Sequence, residues 1–200
     1  LGTGNPHASV THHADFDPIQ ADFTASAWIY QADRHDDNYF FAKGGGGNSG
    51  WHMRVLSTGV IQLQFETVGG ALASITSGSY VVEAGKWYHI VCTINNTTHL
   101  GKIYANGVEV WEGDISALDD DATSANNDIE NAGVLKMGSW STSYGGGILN
   151  GSCTEWSIFK NVAFSGTEIV ELYNDGKALD AKKHTQMTNF NGRTINTTDA

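Results

Sequence analysis

A chain of 200 residues, 40% hydrophobic and 16% charged, is long enough to bury a two-layer core and too apolar to stay disordered. Its 22 acidic against 11 basic residues leave a formal charge of −11, which repels phosphate backbones, so no nucleic acid is expected as a partner. No stretch approaches the ~20 apolar residues of a spanning helix, so no membrane insertion is expected either. The 24 glycines against 2 prolines suggest many tight turns between short strands. The sequence opens at Leu1 with neither an initiator Met nor a signal-peptide pattern, as a processed product or a fragment would.

In chain order, strands are expected at Phe23–Tyr30, Tyr39–Lys43 and Trp51–Leu56. A turn at Ser57-Thr58-Gly59 then leads to a run in which Ile61, Leu63 and Phe65 share one side while Gln62, Gln64 and Glu66 share the other. Ala71–Ser77 and Trp87–Ile94 follow. Lys102–Ala105 and Val108–Trp111 flank Asn106-Gly107, the pair preferred by a two-residue type I′ hairpin. Val134–Gly138 and Ile148–Phe159 complete the set, and this spacing predicts an all-β, two-sheet antiparallel sandwich or jelly roll.

One short helix is expected from Gly166 to Asn174. Ser165 and Glu168 stand in the capping-box arrangement, Ile169, Leu172 and Tyr173 form an apolar stripe, and Gly176 can close the end. The acidic, aperiodic stretch from Gly113 to Asn131, with Asp119-Asp120-Asp121, reads as a surface loop. The domain is expected over residues 1–180, with a polar tail or linker over 181–200. Cys92 and Cys153 have no metal-ligand spacing, and both free thiols and one inter-strand disulfide remain open.

Four segments in order, FTASAWIY, GKWYHIVCTIN with GKIYANGVEV, LKMG, and ILNGSCTEWSIFKNVAFSGTEIVELYNDG, resemble laminin-G-like and pentraxin-like domains of the concanavalin A-like lectin/glucanase superfamily. The resemblance spans about Phe23 to Gly176 and implies the sandwich fold. It places His89 at the family's Trp-x-His position, a structural one. It does not carry function, because this fold hosts lectins, adhesion modules, glycosidases and lyases alike.

The same resemblance sets Asp36, Asp37 and Asn38 where pentraxins begin a calcium site. The second pentraxin loop keeps its frame in Met137-Gly138 and Ser143-Tyr144-Gly145-Gly146, but Trp140, Ser141 and Thr142 replace its acidic positions. A double calcium site is therefore not expected. Indole and phenol rings beside Asp, Asn and His instead suit sugar rings and their hydroxyls, so the candidate ligand site is His35, Asp36, Asp37, Asn38, Trp140 and Tyr144. A separate Ca²⁺ site, as laminin-G-like modules carry, would use Asp15, Asp17 and Glu155, although Thr154 replaces the usual Asp.

The leading expectation is a non-catalytic carbohydrate-binding (lectin-like) or adhesion module with glycan-reading rim loops, calcium-assisted at most. It would be extracellular, secreted or on a particle surface. Its partners would be a glycan or glycoconjugate and a larger parent polypeptide or neighbouring subunits. The alternative is a structural or receptor-contact domain of a viral particle or surface layer. A glycosidase or polysaccharide lyase is disfavoured, because neither the Glu-x-Asp-x-x-Glu strand of laminarinases nor the alginate-lyase strands occur, and His52-Met53-Arg54 does not reproduce the latter.

Overall fold

The computed structural model describes residues 7–17, 21–34, 36–44, 50–67, 70–116, 132–140, 147–177, 187–188 and 194–195. Six strands make one antiparallel sheet: β1 (Ala8–Val10), β3 (Asn38–Gly44), β4 (Gly50–Val55), β5 (Val60–Thr67), β6 (Gly70–Val81) and β10 (Leu135–Met137). Their spatial order is β1-β10-β3-β4-β5-β6. Five make the other: β2 (Phe23–Gln31), β7 (Trp87–Asn95), β8 (Leu100–Ala105), β9 (Val108–Asp114) and β11 (Gly151–Lys160), ordered β11-β2-β7-β8-β9.

Alternation decides which side of each strand is dry. Phe23, Ala25, Ala27 and Ile29 of β2 and Ile90, Cys92 and Ile94 of β7 face inward, opposite Phe41, Trp51, Met53, Val55, Ile61, Leu63 and Phe65 of the larger sheet. Each large side chain so buried contributes roughly 1.5–3 kcal/mol. Trp51, fully buried, meets Phe23 edge-on at 5.2 Å and donates its indole N–H to the Phe16 carbonyl at 2.7 Å. One ion pair lies in the interior beside it, with Lys43 Nζ 3.3 Å from Asp17 Oδ1.

The helix α1 (Gly166–Tyr173) starts at the Ser165–Glu168 capping box and ends at Asn174 in the left-handed conformation. Its Ile169 and Leu172 pack with Phe164 on Val91 and Tyr104, residues from the outward side of the smaller sheet. His89, on the same side, hydrogen-bonds Ser26 Oγ at 2.8 Å and lies 5.2 Å from Trp28 and 6.0 Å from Tyr173. One outer face is thus closed by the helix. The opposite outer face, on the larger sheet, carries the polar residues.

The Asn106-Gly107 turn forms as expected, with φ of 51° and 79° at its two positions. Other expectations shift. β6 continues to Val81 rather than stopping at Ser77, and β11 begins at Gly151 because Ile148 instead bridges Ser139. The edge strand β1, three residues long, is too short for alternation to reveal. Both cysteines are free, one on each flank of β2: Cys92 pairs with Ala25 and Cys153 with Ile29. The acidic loop beyond Ser116, including Asp119-Asp120-Asp121, lies outside the described residues. Of the tail, only β12 (Met187–Thr188) and β13 (Thr194–Ile195) are described, paired with each other.

Trp51→Ala is expected to lower unfolding stability by about 3–5 kcal/mol, measured by urea titration followed by circular dichroism. A loss below about 1 kcal/mol would show that the two sheets do not depend on this contact.

Candidate functional site

Register builds the site. Across the larger sheet, Lys136, Ala42, His52, Gln64 and Ser74 stand in one row, and Tyr39, Arg54, Gln62 and Thr76 in the next. Because Trp51, Met53 and Val55 point inward, His52 and Arg54 must point outward. A bulge between Tyr39 and Phe41 sends Phe40 and Phe41 both into the core and leaves Tyr39 beside the polar row.

Trp140 closes one end of this face. Its ring lies 5.5 Å from Tyr39 and edge-on to His52 at 4.7 Å, while Tyr39 and His52 are 5.1 Å apart. The backbone fixes it: Trp140 N–H donates to Gly147 O at 2.8 Å, and Gly147 has φ of 63°. A Cβ on Gly147 would lie 2.7 Å from Trp140 Cβ and 3.0 Å from the Tyr39 ring, so glycine is required there. Lys136 Nζ reaches two carbonyls, Gly44 O at 2.5 Å and Trp140 O at 3.1 Å, and pins the same corner.

Arg54 is the hub. Its Nε donates to Gln62 Oε1 at 2.5 Å and its Nη2 to Gln64 Oε1 at 3.3 Å. Nη1 lies 3.1 Å from Asp37 Oδ2 and donates to the Tyr39 hydroxyl. Gln62 Nε2 then donates to Ser74 Oγ at 2.8 Å, and Gln64 Nε2 to Glu66 Oε1 at 3.0 Å. Both amides are oriented by the guanidinium, their oxygens toward it and their nitrogens away.

Burial shifts the ionisations of this face. It pushes the His52 imidazole down to about 3, with the Arg54 charge adding to the effect and a Gln64 side-chain contact opposing it. Burial raises the Tyr39 phenol and the Glu66 carboxyl, with Arg54 opposing both shifts. It lowers the Lys136 ammonium, with Lys43 adding to that.

Asp37 and Trp140 both border this face, Asp37 at Arg54 and Trp140 at Tyr39 and His52. Asp37 joins the face through Arg54, and its other oxygen accepts from Ser57 N–H at 3.0 Å. Asn38 is buried and braces the junction, donating to Asp36 O at 2.7 Å and accepting from Asn150 N–H at 2.7 Å. Asp36 supplies that carbonyl from the strand's entrance. His35 and Tyr144 lie outside the described residues.

The cation expectation meets a different environment. Asp17 faces Lys43, with His12 Nδ1 at 3.9 Å, and Asp15 faces Lys160 Nζ at 3.4 Å and His13 Nδ1 at 3.1 Å. β11 therefore brings an ammonium to Asp15, while Glu155 sits exposed at the β11 bulge with φ of 53°. Among the described residues no group of three His, Cys, Asp or Glu side chains is placed to hold a metal.

Residues 2–169 match the family described as the Concanavalin A-like lectin/glucanases superfamily. The chain belongs to it. No curated protein sequence matches the chain. Among solved structures, a botulinum neurotoxin type C chain is similar at 16% identity and a TM-score of 0.60, with 88% of this chain and 42% of that one covered. A Bacteroides ovatus protein provisionally classed as carbohydrate binding is similar at 16% identity and 0.59, with 85% and 45% covered. A heptameric SAP-like pentraxin of Limulus polyphemus matches at 17% identity and 0.54, with 86% and 77% covered. At such identities the likeness is one of fold. The chain spans less than half of the toxin and Bacteroides chains.

Within this superfamily chain, sequence reasoning missed Tyr39, His52, Arg54, Gln62, Gln64, Glu66 and Ser74 as a set. The signal was present in part: alternation had already put Gln62, Gln64 and Glu66 on one side of β5. What was absent was the register that sets β4 and β6 beside them.

The buried imidazole predicts acid lability. The folded His52 protonates only near pH 3, whereas the unfolded chain protonates near the ordinary 6.5. Between those values the unfolded state binds the extra proton, so stability is full above pH 6.5 and falls as pH drops toward 3. His52→Gln is expected to lose less stability than the wild type between pH 7 and 4, by on the order of 3 kcal/mol, in paired urea titrations. Equal losses would mean that His52 protonates freely in the fold.

Proposed function

We propose that this domain is a non-catalytic carbohydrate-binding module that reads glycans on the outer face of its larger sheet. The single observation behind this reading is the juxtaposition of Trp140, Tyr39 and His52 with an arginine-ordered row of amide, hydroxyl and carboxylate groups. Aromatic rings bury the apolar face of a sugar while fixed polar groups take its hydroxyls. Asp37 is engaged by Arg54 and Ser57, which favours binding over paired-carboxylate hydrolysis.

The fold likenesses support glycan binding as such, whatever the charge of the glycan. The type C botulinum neurotoxin depends on interaction with two ganglioside molecules to enter cells. That toxin and the Bacteroides protein both carry this fold within a longer chain, which supports a module of an extracellular parent polypeptide whose partner is a glycan or glycoconjugate. The engagement of Asp37 by Arg54 supports a site that works without calcium.

Glycan-array binding by wild type and Trp140→Ala, each with calcium and with chelator, tests this. The variant is expected to lose at least about tenfold in retention, and chelation to change nothing. Undiminished binding by Trp140→Ala would remove this face from the account, and loss on chelation would restore a metal to it.

A further inference from the structure

Resting on the glycan-binding reading, the structure goes further and points to a ligand class: we infer that this face selects uncharged glycans and discriminates against carboxylated and sulfated ones. The inference comes from following each charge on the face to its partner. Among the described residues Arg54 supplies this face with a guanidinium, and it is already directed at Gln62, Gln64, Tyr39 and Asp37. Lys136 is buried, and its ammonium is turned to the carbonyls of Gly44 and Trp140. Recognition of an anionic sugar by protein normally relies on a guanidinium or ammonium presented to it, and both cations are committed within the protein.

What the face presents instead follows from the direction of its hydrogen bonds. From Arg54 one chain runs through Gln64 to the Glu66 carboxylate, and the other through Gln62 to Ser74 Oγ. Each amide gives its oxygen to the guanidinium and spends an N–H outward, so the two chains end on acceptor atoms of Glu66 and Ser74. Ser74, accepting at oxygen, keeps its hydroxyl proton for donation, and Glu66 keeps lone pairs for acceptance. Ser74, exposed, stands at the far end of the row that Trp140 closes, and Glu66, half-buried, lies in the adjacent row. A donor and an anionic acceptor at the end of an aromatic-closed row match sugar hydroxyls, which both donate and accept. A carboxylate or sulfate placed there would face Glu66 directly, and the chain's formal charge of −11 adds to the repulsion at longer range.

The experiment is an array of neutral glycans beside carboxylated and sulfated derivatives of the same backbones, probed with wild type and Glu66→Gln at low and physiological salt. Neutral glycans are expected to bind with little salt dependence, and their acidic derivatives about tenfold more weakly. Glu66→Gln is expected to narrow that ratio to about twofold. Tightest binding to acidic derivatives, or an unchanged ratio in Glu66→Gln, would overturn the selectivity and leave the glycan-binding reading standing. Retention of no glycan class would overturn both. Circular dichroism of Glu66→Gln confirms that the compared proteins share one fold.

Discussion

The burial of two facing apolar sheet surfaces governs everything else in this molecule. Because side chains on a strand alternate, putting Trp51, Met53 and Val55 into the interior forces His52 and Arg54 out of it. The same constraint on β5 puts Gln62, Gln64 and Glu66 outward while Ile61, Leu63 and Phe65 face in. A one-residue slip of β4 against β5 would send the arginine into the core, where its desolvation would be prohibitive. The core therefore fixes the register, and the register assembles the polar face.

The two outer faces then diverge. On the smaller sheet, Val91 and Tyr104 offer apolar surface that α1 covers with Ile169 and Leu172. On the larger sheet the outward residues are polar, and Arg54 organises them from the middle. Its guanidinium does two jobs: it holds Asp37, tying the loop before β3 to the sheet, and it turns both glutamine amides the same way. Order spreads from one side chain to two neighbouring strands. Pre-orientation of this kind lowers the entropic cost of gripping a ligand.

Electrostatics sharpens the contrast between structural and presented groups. Lys43 with Asp17, and Lys136 with two carbonyls, are buried charges held by partners, as low dielectric demands. His52 is the counterpart, a neutral imidazole under Trp140 whose protonation burial suppresses. Glu66 and Ser74 stand apart because their remaining hydrogen-bonding capacity faces outward.

Much of the fold was legible in the chain. Period-two runs marked the major strands, Asn106-Gly107 announced its hairpin, and Ser165 with Glu168 announced the helix, because each depends on contacts a few residues apart. The site was legible only in outline. Trp140 and Asp37 stood out by type, and both border the polar face, but Asn38 serves as a brace, and Tyr39, His52 and Arg54 were not singled out. Their meaning depends on cross-strand register and on a bulge at Tyr39, neither of which a linear pattern encodes. Sequence by itself determined which side of each strand would be dry, since alternation and hydrophobicity are local. Tertiary structure alone decided which outward residues became neighbours, since that follows from pairing between strands far apart along the chain.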